Sequence, residues 1–158
     1  MIYPLGNLES LTEIVIGCGI AVHRTLGPGL LESVYRECMI LELLAENLLV
    51  ECERRVSLEY RGQRVAADLK LDLLVEGCLV LELKAVERIH PVHLAQVITY
   101  LKLTGHPAGL LMNFNATTLR AGLKRLDHPD LYAKKSAAGR EQEDKRSRDQ
   151  EATKPQTS

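Results

Sequence analysis

Tryptophan is absent from this 158-residue chain, and phenylalanine occurs once beside five tyrosines. Binding that stacks successive bases on aromatic side chains therefore has little to work with. An excess of positive charge is missing too: 20 Lys and Arg stand against 21 Asp and Glu, for a formal net charge of −1. The stretch 134–158 holds seven basic and five acidic residues, so removing its +2 leaves −3 for residues 1–133. A broad basic clamp, which binds nucleic acid by neutralising phosphates with Lys and Arg, does not fit that balance. Local clusters survive the sum at Arg54-Arg55, Arg61/Arg64 and Lys124-Arg125, and they read either as a stripe or as ordinary solvated surface.

No Cys-x-x-Cys pair occurs among Cys18, Cys38, Cys52 and Cys78. A zinc or dithiol redox site is unsupported, and reduced thiols in the core are expected. His90 and His93 are three apart, a spacing that suits a helical metal pair, but no Cys or carboxylate partner stands at matching spacing. They are read as non-ligands. No apolar run approaches the length of a membrane span, and the N-terminus lacks a charged start followed by an apolar core. The expectation is a soluble, cytoplasmic protein with no membrane partner.

What is present suits one globular domain, since 46% of the residues are apolar. Leu8, Leu11, Val15, Cys18 and Val22 recur at helical spacing, which predicts a helix from about Asn7 to Thr25, stopped by Gly27-Pro28-Gly29. A second helix is expected from about Leu31 to Glu46, with Val34, Cys38, Leu41 and Ala45 as its buried stripe. Val50 to Tyr60 reads as a strand, and Arg61-Gly62-Gln63 turns the chain back into a long strand through Leu73. Leu79 to Ala85 is its partner. Pro91 opens a third helix to about Thr104. The run from Ala108 to Phe114 is apolar enough to be a strand buried on both faces, parallel to its neighbour after a helical crossover. A short helix is expected near Thr117 to Leu126. From Ala133 to Ser158 large apolar residues nearly vanish, which predicts a disordered charged tail after a domain spanning 1–132.

Asp68-Leu-Lys-Leu-Asp72 and Leu79-Val-Leu-Glu82-Leu-Lys84 alternate with period two, so each is a strand with leucines on one face and charges on the other. Facing residues of an antiparallel pair point to the same side, and loop length decides which residues face. A two-residue loop, Glu76-Gly77, would send Asp72 and Glu82 to opposite faces. A three-residue loop, Val75-Glu76-Gly77, gathers them on one face, places Gly77 at a left-handed position, and turns the leucines of both strands toward a single core. Asp72 and Glu82 would then lie roughly 5–8 Å apart at Cβ, directly or diagonally across the pair.

Two carboxylates at that spacing can hold a hard divalent cation, Mg²⁺ or Mn²⁺, with the Leu83 carbonyl as a further oxygen. Such a cation polarises a phosphodiester and lowers the pKa of a bound water, and Lys84, on the same face as Glu82, would steady developing negative charge. A hairpin that simply turns its charged face to solvent would show the same pattern.

Asp72, nine intervening residues, Glu82-x-Lys84 and a following Gln96-x-x-x-Tyr100 together resemble the PD-(D/E)XK nuclease superfamily. More narrowly, Gly29-Leu-Leu-Glu32-Ser-Val-Tyr35 resembles the signature of the GxxExxY proteins within it. The segments Glu82 to Glu87, Pro91 to Gln96 and Gly109 to Phe114 are similar in order and spacing, and the likeness spans roughly Leu8 to Leu126. The resemblance implies an α/β fold, a mixed central sheet flanked by helices as in restriction endonucleases. It implies a site built from Glu32, Asp72, Glu82, Lys84 and Gln96, and metal-dependent hydrolysis of nucleic acid, DNA more than RNA. Glu32 has an alternative use as an exposed ion pair with Arg36, four residues on, and Gln96 and Tyr100 as a water-facing helix surface. The competing function is a non-catalytic module of the same fold, acting in homodimerisation or protein binding.

Overall fold

The computed structural model describes residues 7–131, 142 and 145–148. Two units divide the chain, Met1–His128 and Pro129–Ser158. The expected tail lies largely outside the described residues; of it only 142 and 145–148 are described, as helix.

The first unit runs α1 (Leu8–Leu26), α2 (Glu32–Ala45), β1 (Val50–Tyr60), β2 (Gln63–Val75), β3 (Leu79–Lys84), α3 (Pro91–Thr104), β4 (Ala108–Asn113), a 3₁₀ turn (Arg120–Gly122) and β5 (Leu123–Asp127). The five strands form one mixed sheet in the order β1-β2-β3-β4-β5. Only β3 and β4 are parallel, as the α3 crossover requires, and the other neighbours are antiparallel. The protein is therefore the α/β fold expected, a mixed sheet with helices on both faces.

Alternation along β3 and β4 sorts the core into two layers. Leu79, Leu81, Leu83, Leu110 and Met112 pack with Leu11, Val15 and Val22 of α1 and Tyr35, Met39 and Leu43 of α2. Val80 and Leu111 face the other way, onto Val97, Tyr100 and Leu101 of α3. Every residue of β4 is buried, as expected for a strand covered on both sides. Gly109 sets the approach of α3: a Cβ there would stand 2.8 Å from a Val97 methyl.

Four sequence expectations need correction. The buried stripe of α2 is Tyr35, Met39 and Leu43 rather than Val34, Cys38, Leu41 and Ala45; Leu41 is 68% exposed. The phase moved because Tyr35 is buried whole, its hydroxyl donating to the Gly27 carbonyl (2.6 Å) and accepting from the Leu30 amide (3.1 Å). The region 117–126 is not a helix: a 3₁₀ turn leads into β5, which pairs with β4 from Ala108↔Asp127 to Met112↔Leu123. Backbone pairing at the open sheet edge outweighed the helix-like spacing of Leu119, Leu123 and Leu126. The hairpin loop is Glu76-Gly77-Cys78, one residue later than expected, because buried Val75 pairs with both Val50 and Leu79 and stays in the strand. Finally, the β2 leucines do not share one core. Leu73 joins the α1/α2 layer, while Leu71 and Leu69 join the α3 layer. Past the end of its pairing with β3, the 13-residue strand is free to twist its side chains round toward α3.

Candidate active site

Strands β2 and β3 pair over only three positions, Leu73↔Leu81, Leu74↔Val80 and Val75↔Leu79. Continuing that register sets Asp72 directly across from Glu82, but here the strands part. The Asp72 carboxylate fills the gap, its Oδ2 accepting the Leu83 amide at 2.7 Å in place of a strand carbonyl. Successive residues of a strand send their backbone groups to opposite edges. The Lys84 carbonyl accepts from Phe114 on the β4 side (2.9 Å), so the Leu83 carbonyl, like its amide, faces the Asp72 side.

Glu82 is only 4% exposed. One of its oxygens accepts from Lys84 Nζ at 3.0 Å; the other, Oε2, is buried without a hydrogen-bond partner. An unmet carboxylate oxygen ordinarily costs a fold several kcal/mol, on the order of 1–3 or more. Burial, followed by the Asp72 charge, pushes Glu82 up to about 7 against the pull of Lys84. Burial also raises Asp72, although the Leu83 amide, Lys84 and Arg36 oppose it. For Lys84, burial works downward, yet the Glu82 hydrogen bond and the charges of Glu82, Glu32 and Asp72 carry the net shift upward.

Glu32 reaches this cluster from the first residue of α2. Its pKa is raised by burial and then by Asp72, and lowered in part by Lys84 and Arg36. Two devices hold it there: Gly29 at φ 103, a left-handed angle that favours glycine, and the Tyr35 hydroxyl bonds that tie α2 to the preceding loop. Tyr35 also stacks on Phe114 with centroids 4.6 Å apart. On the other side, Asn113 fixes the exit of β3, its amide donating to the Val86 carbonyl (2.8 Å) and its carbonyl accepting the Val86 amide (3.1 Å). The residues of the Gly29–Tyr35 and Gly109–Phe114 motifs are thus the scaffold of Glu32 and Lys84.

Gln96 is half-buried on α3 and donates to the Tyr100 hydroxyl at 3.2 Å. Tyr100 packs in the layer of Val80, the side of the sheet that alternation also gives Glu82. That places Gln96 in the same layer, with its bond to Tyr100 and not to the carboxylates. His93 accepts the His90 backbone amide through Nδ1 at 3.0 Å, which caps α3.

Sequence reasoning missed Arg36, read only as a surface partner for Glu32. The structure makes it half-buried, with its Nε enclosed and without a hydrogen bond, and its charge acts on both Glu32 and Asp72. The helical i, i+4 spacing to Glu32 was the available signal. Three carboxylates against Lys84 and Arg36 leave the cluster one negative charge in excess when all are ionised. Among the described residues, no three His, Cys, Asp or Glu side chains stand close enough together to hold a metal ion. Asp72, Glu82 and the Leu83 carbonyl nevertheless suit Mg²⁺, which binds through one or two carboxylates and keeps several waters. The enclosed Glu82 Oε2 is the kind of lone acceptor such a cation satisfies.

A cavity of about 520 Å³ opens elsewhere, lined among others by His23, Arg24, Gly27, Thr117 and Arg120, and the carboxylates do not line it. Among the described residues no helix is long and apolar enough to cross a membrane. Residues 9–126 match the family model of the PD-(D/E)XK nuclease superfamily. No curated protein and no solved structure matches the chain.

Proposed function

The chain belongs to the PD-(D/E)XK nuclease superfamily, and from that premise we propose that it is an Mg²⁺- or Mn²⁺-dependent nuclease whose site is Glu32, Asp72, Glu82, Lys84 and Gln96. The observation that carries this reading is the buried, unpartnered Glu82 oxygen beside Asp72 at the point where β2 and β3 part. A solvated charged hairpin gives no reason for Glu82 to be enclosed, or for Glu32 to arrive from another helix. Within the superfamily, the Gly29–Tyr35 run supports a place in the GxxExxY branch as part of this reading.

Asp72, Glu82 and the Leu83 carbonyl would hold the cation. Its presence there would supply Lewis-acid polarisation of the phosphodiester and a lowered pKa for water at the site. Lys84 keeps its proton, and its Nζ presents positive charge to the oxygen that becomes negative as the phosphate is attacked. Glu32 sets the charge balance of the cluster, and Gln96, held by Tyr100, orients the water through its amide. The free cysteines fit a reducing cytoplasm.

The competing reading is a non-catalytic module that pairs with another copy or a protein partner. It is favoured by one observation, the lack of a third acidic ligand among the described residues. Incubation of native protein and Lys84→Ala with duplex DNA, single-stranded DNA and RNA, with and without Mg²⁺ or Mn²⁺, separates the two. The nuclease reading expects metal-dependent cleavage of at least one substrate, reduced ~10²–10³-fold by Lys84→Ala. Cation binding without cleavage of any substrate leaves the module.

A further inference from the structure

Of the 11 residues of β1 and the 13 of β2, only Leu73–Val75 meet β3. The rest is a two-stranded ribbon that leaves the sheet at the candidate site, with Asp72 at its root. Val56, Leu69 and Leu71 seat its lower part against the α3 layer. Beyond them every residue from Glu59 to Asp68 is exposed. Val56 to Tyr60 spans four strand steps, so the free end reaches roughly 14 Å past its last fully buried anchor. A tight Arg61-Gly62 turn closes it, both residues at positive φ (53 and 73), the geometry whose twist matches that of paired strands. Between Val56↔Leu69 and Leu58↔Val65 the register shifts, a bulge that bends the ribbon.

The outer part of the ribbon differs in charge from the body. Residues 54–70 carry Arg54, Arg55, Arg61, Arg64 and Lys70 against Glu59 and Asp68, a net +3 that Glu53 and Asp72 at the root reduce to +1 for 53–72, and Arg54 is held by Glu51 at 2.8 Å. Since residues 1–133 sum to −3, the remainder of that span carries −6. Arg55 and Lys70 make only long, exposed ion pairs to Asp68, at 3.9 and 3.7 Å, which water and salt weaken readily. Among the described residues Arg61 and Arg64 make no ion pair. Beside them Tyr60 is 69% and Val65 40% exposed, apolar surface left facing water. Charges on an edge strand also guard against edge-to-edge pairing. That purpose needs neither an excess of one sign nor an exposed tyrosine.

We propose that this ribbon is a DNA-binding arm that enters the major groove of duplex DNA. The major groove of B-form DNA is about 12 Å wide and 8.5 Å deep and admits a two-stranded β-ribbon, whereas the major groove of A-form RNA is too narrow for side chains to read. Arg61 and Arg64 contact phosphates on the groove walls, and Tyr60 lies against sugar or base edges. DNA held by the arm runs past its root to Asp72, Glu82 and Lys84. As a substrate assignment this rests on the nuclease reading; as a binding surface it stands apart from it.

Fluorescence anisotropy with a labelled 30-base-pair DNA duplex and the matching RNA duplex, in buffer without divalent metal, tests the arm. Native protein, Arg61→Ala/Arg64→Ala and Tyr60→Ala are compared over a range of salt, with circular dichroism to verify folding. Each phosphate contact contributes about 0.9 to the slope of log affinity on log salt. The double variant is expected to bind DNA at least ~10-fold more weakly and to lose about 2 from the slope. Native affinity and slope in the double variant, equal binding of the RNA duplex, or no DNA binding by native protein would each overturn the proposal. The two readings fail separately. DNA binding that depends on Arg61 and Arg64 without cleavage sinks the nuclease and keeps the arm. Metal-dependent cleavage indifferent to those arginines does the reverse.

Discussion

The two halves of β3 are both buried, yet they answer to different physics. Leu79, Val80 and Leu81 are fully buried apolar side chains paired on both strand edges. At the very next position Glu82 is nearly as enclosed, but it is a carboxylate with one oxygen unmet and another carboxylate opposite. The first half lowers the free energy of folding. The second half raises it, and the fold tolerates this only because the cost is offset by the leucine layers on either side. Burial alone therefore says nothing of purpose; what distinguishes the halves is whether the buried atoms have partners.

Substitution on each side should change stability in opposite directions. Leu81→Ala removes a side chain packed in the α1/α2 layer and should cost ~2–5 kcal/mol in urea unfolding, the largest effect expected. Glu82→Gln should do the reverse in metal-free protein at pH 8. Raising a carboxyl from 4.5 to about 7 means the folded state resists ionisation, at about 1.4 kcal/mol per unit, so relieving it returns up to ~3 kcal/mol, less what Lys84 loses as a partner. The sign with pH follows from linkage. Below pH 4.5 the group is protonated in both states and costs nothing; as pH rises from 4.5 to about 7 the unfolded state ionises first, and the native protein loses stability relative to Glu82→Gln. Urea midpoints for both proteins at pH 5 and pH 8 check this. A stability gap that does not widen in favour of the variant at pH 8 would contradict it.

The same contrast explains what could be read from the chain. Strand alternation placed β3, an apolar run placed β4, helical spacing placed α1, and Pro91 opened α3, because each of these follows one local period or one backbone restriction. For the charged residues the period carried only part of the way: alternation put Glu82 and Lys84 on one side of β3, whereas the β2 leucines divide between the two layers and the loop lies one residue later than the leucine register implied. The α2 stripe was not legible, since Leu31, Val34, Leu41 and Leu44 crowd the exposed side while the buried position is taken by Tyr35, whose hydroxyl finds partners only in the folded loop. β5 depends on an open edge of β4, a tertiary fact. Arg36 carried its signal in plain view but pointed to a surface pair, and only the fold brings its charge near Asp72. The projection of the β1–β2 ribbon was equally hidden, because the point at which β3 stops following β2 is not written in either strand's period.

Titration calorimetry with Mn²⁺ in phosphate-free buffer, on native protein, Asp72→Ala and Glu82→Gln, tests the claim that the parted end of β2 and β3 is a cation site. The native protein should give a saturable heat that both substitutions abolish while the fold persists. Equal heats in all three proteins would show that the enclosed carboxylates hold no metal.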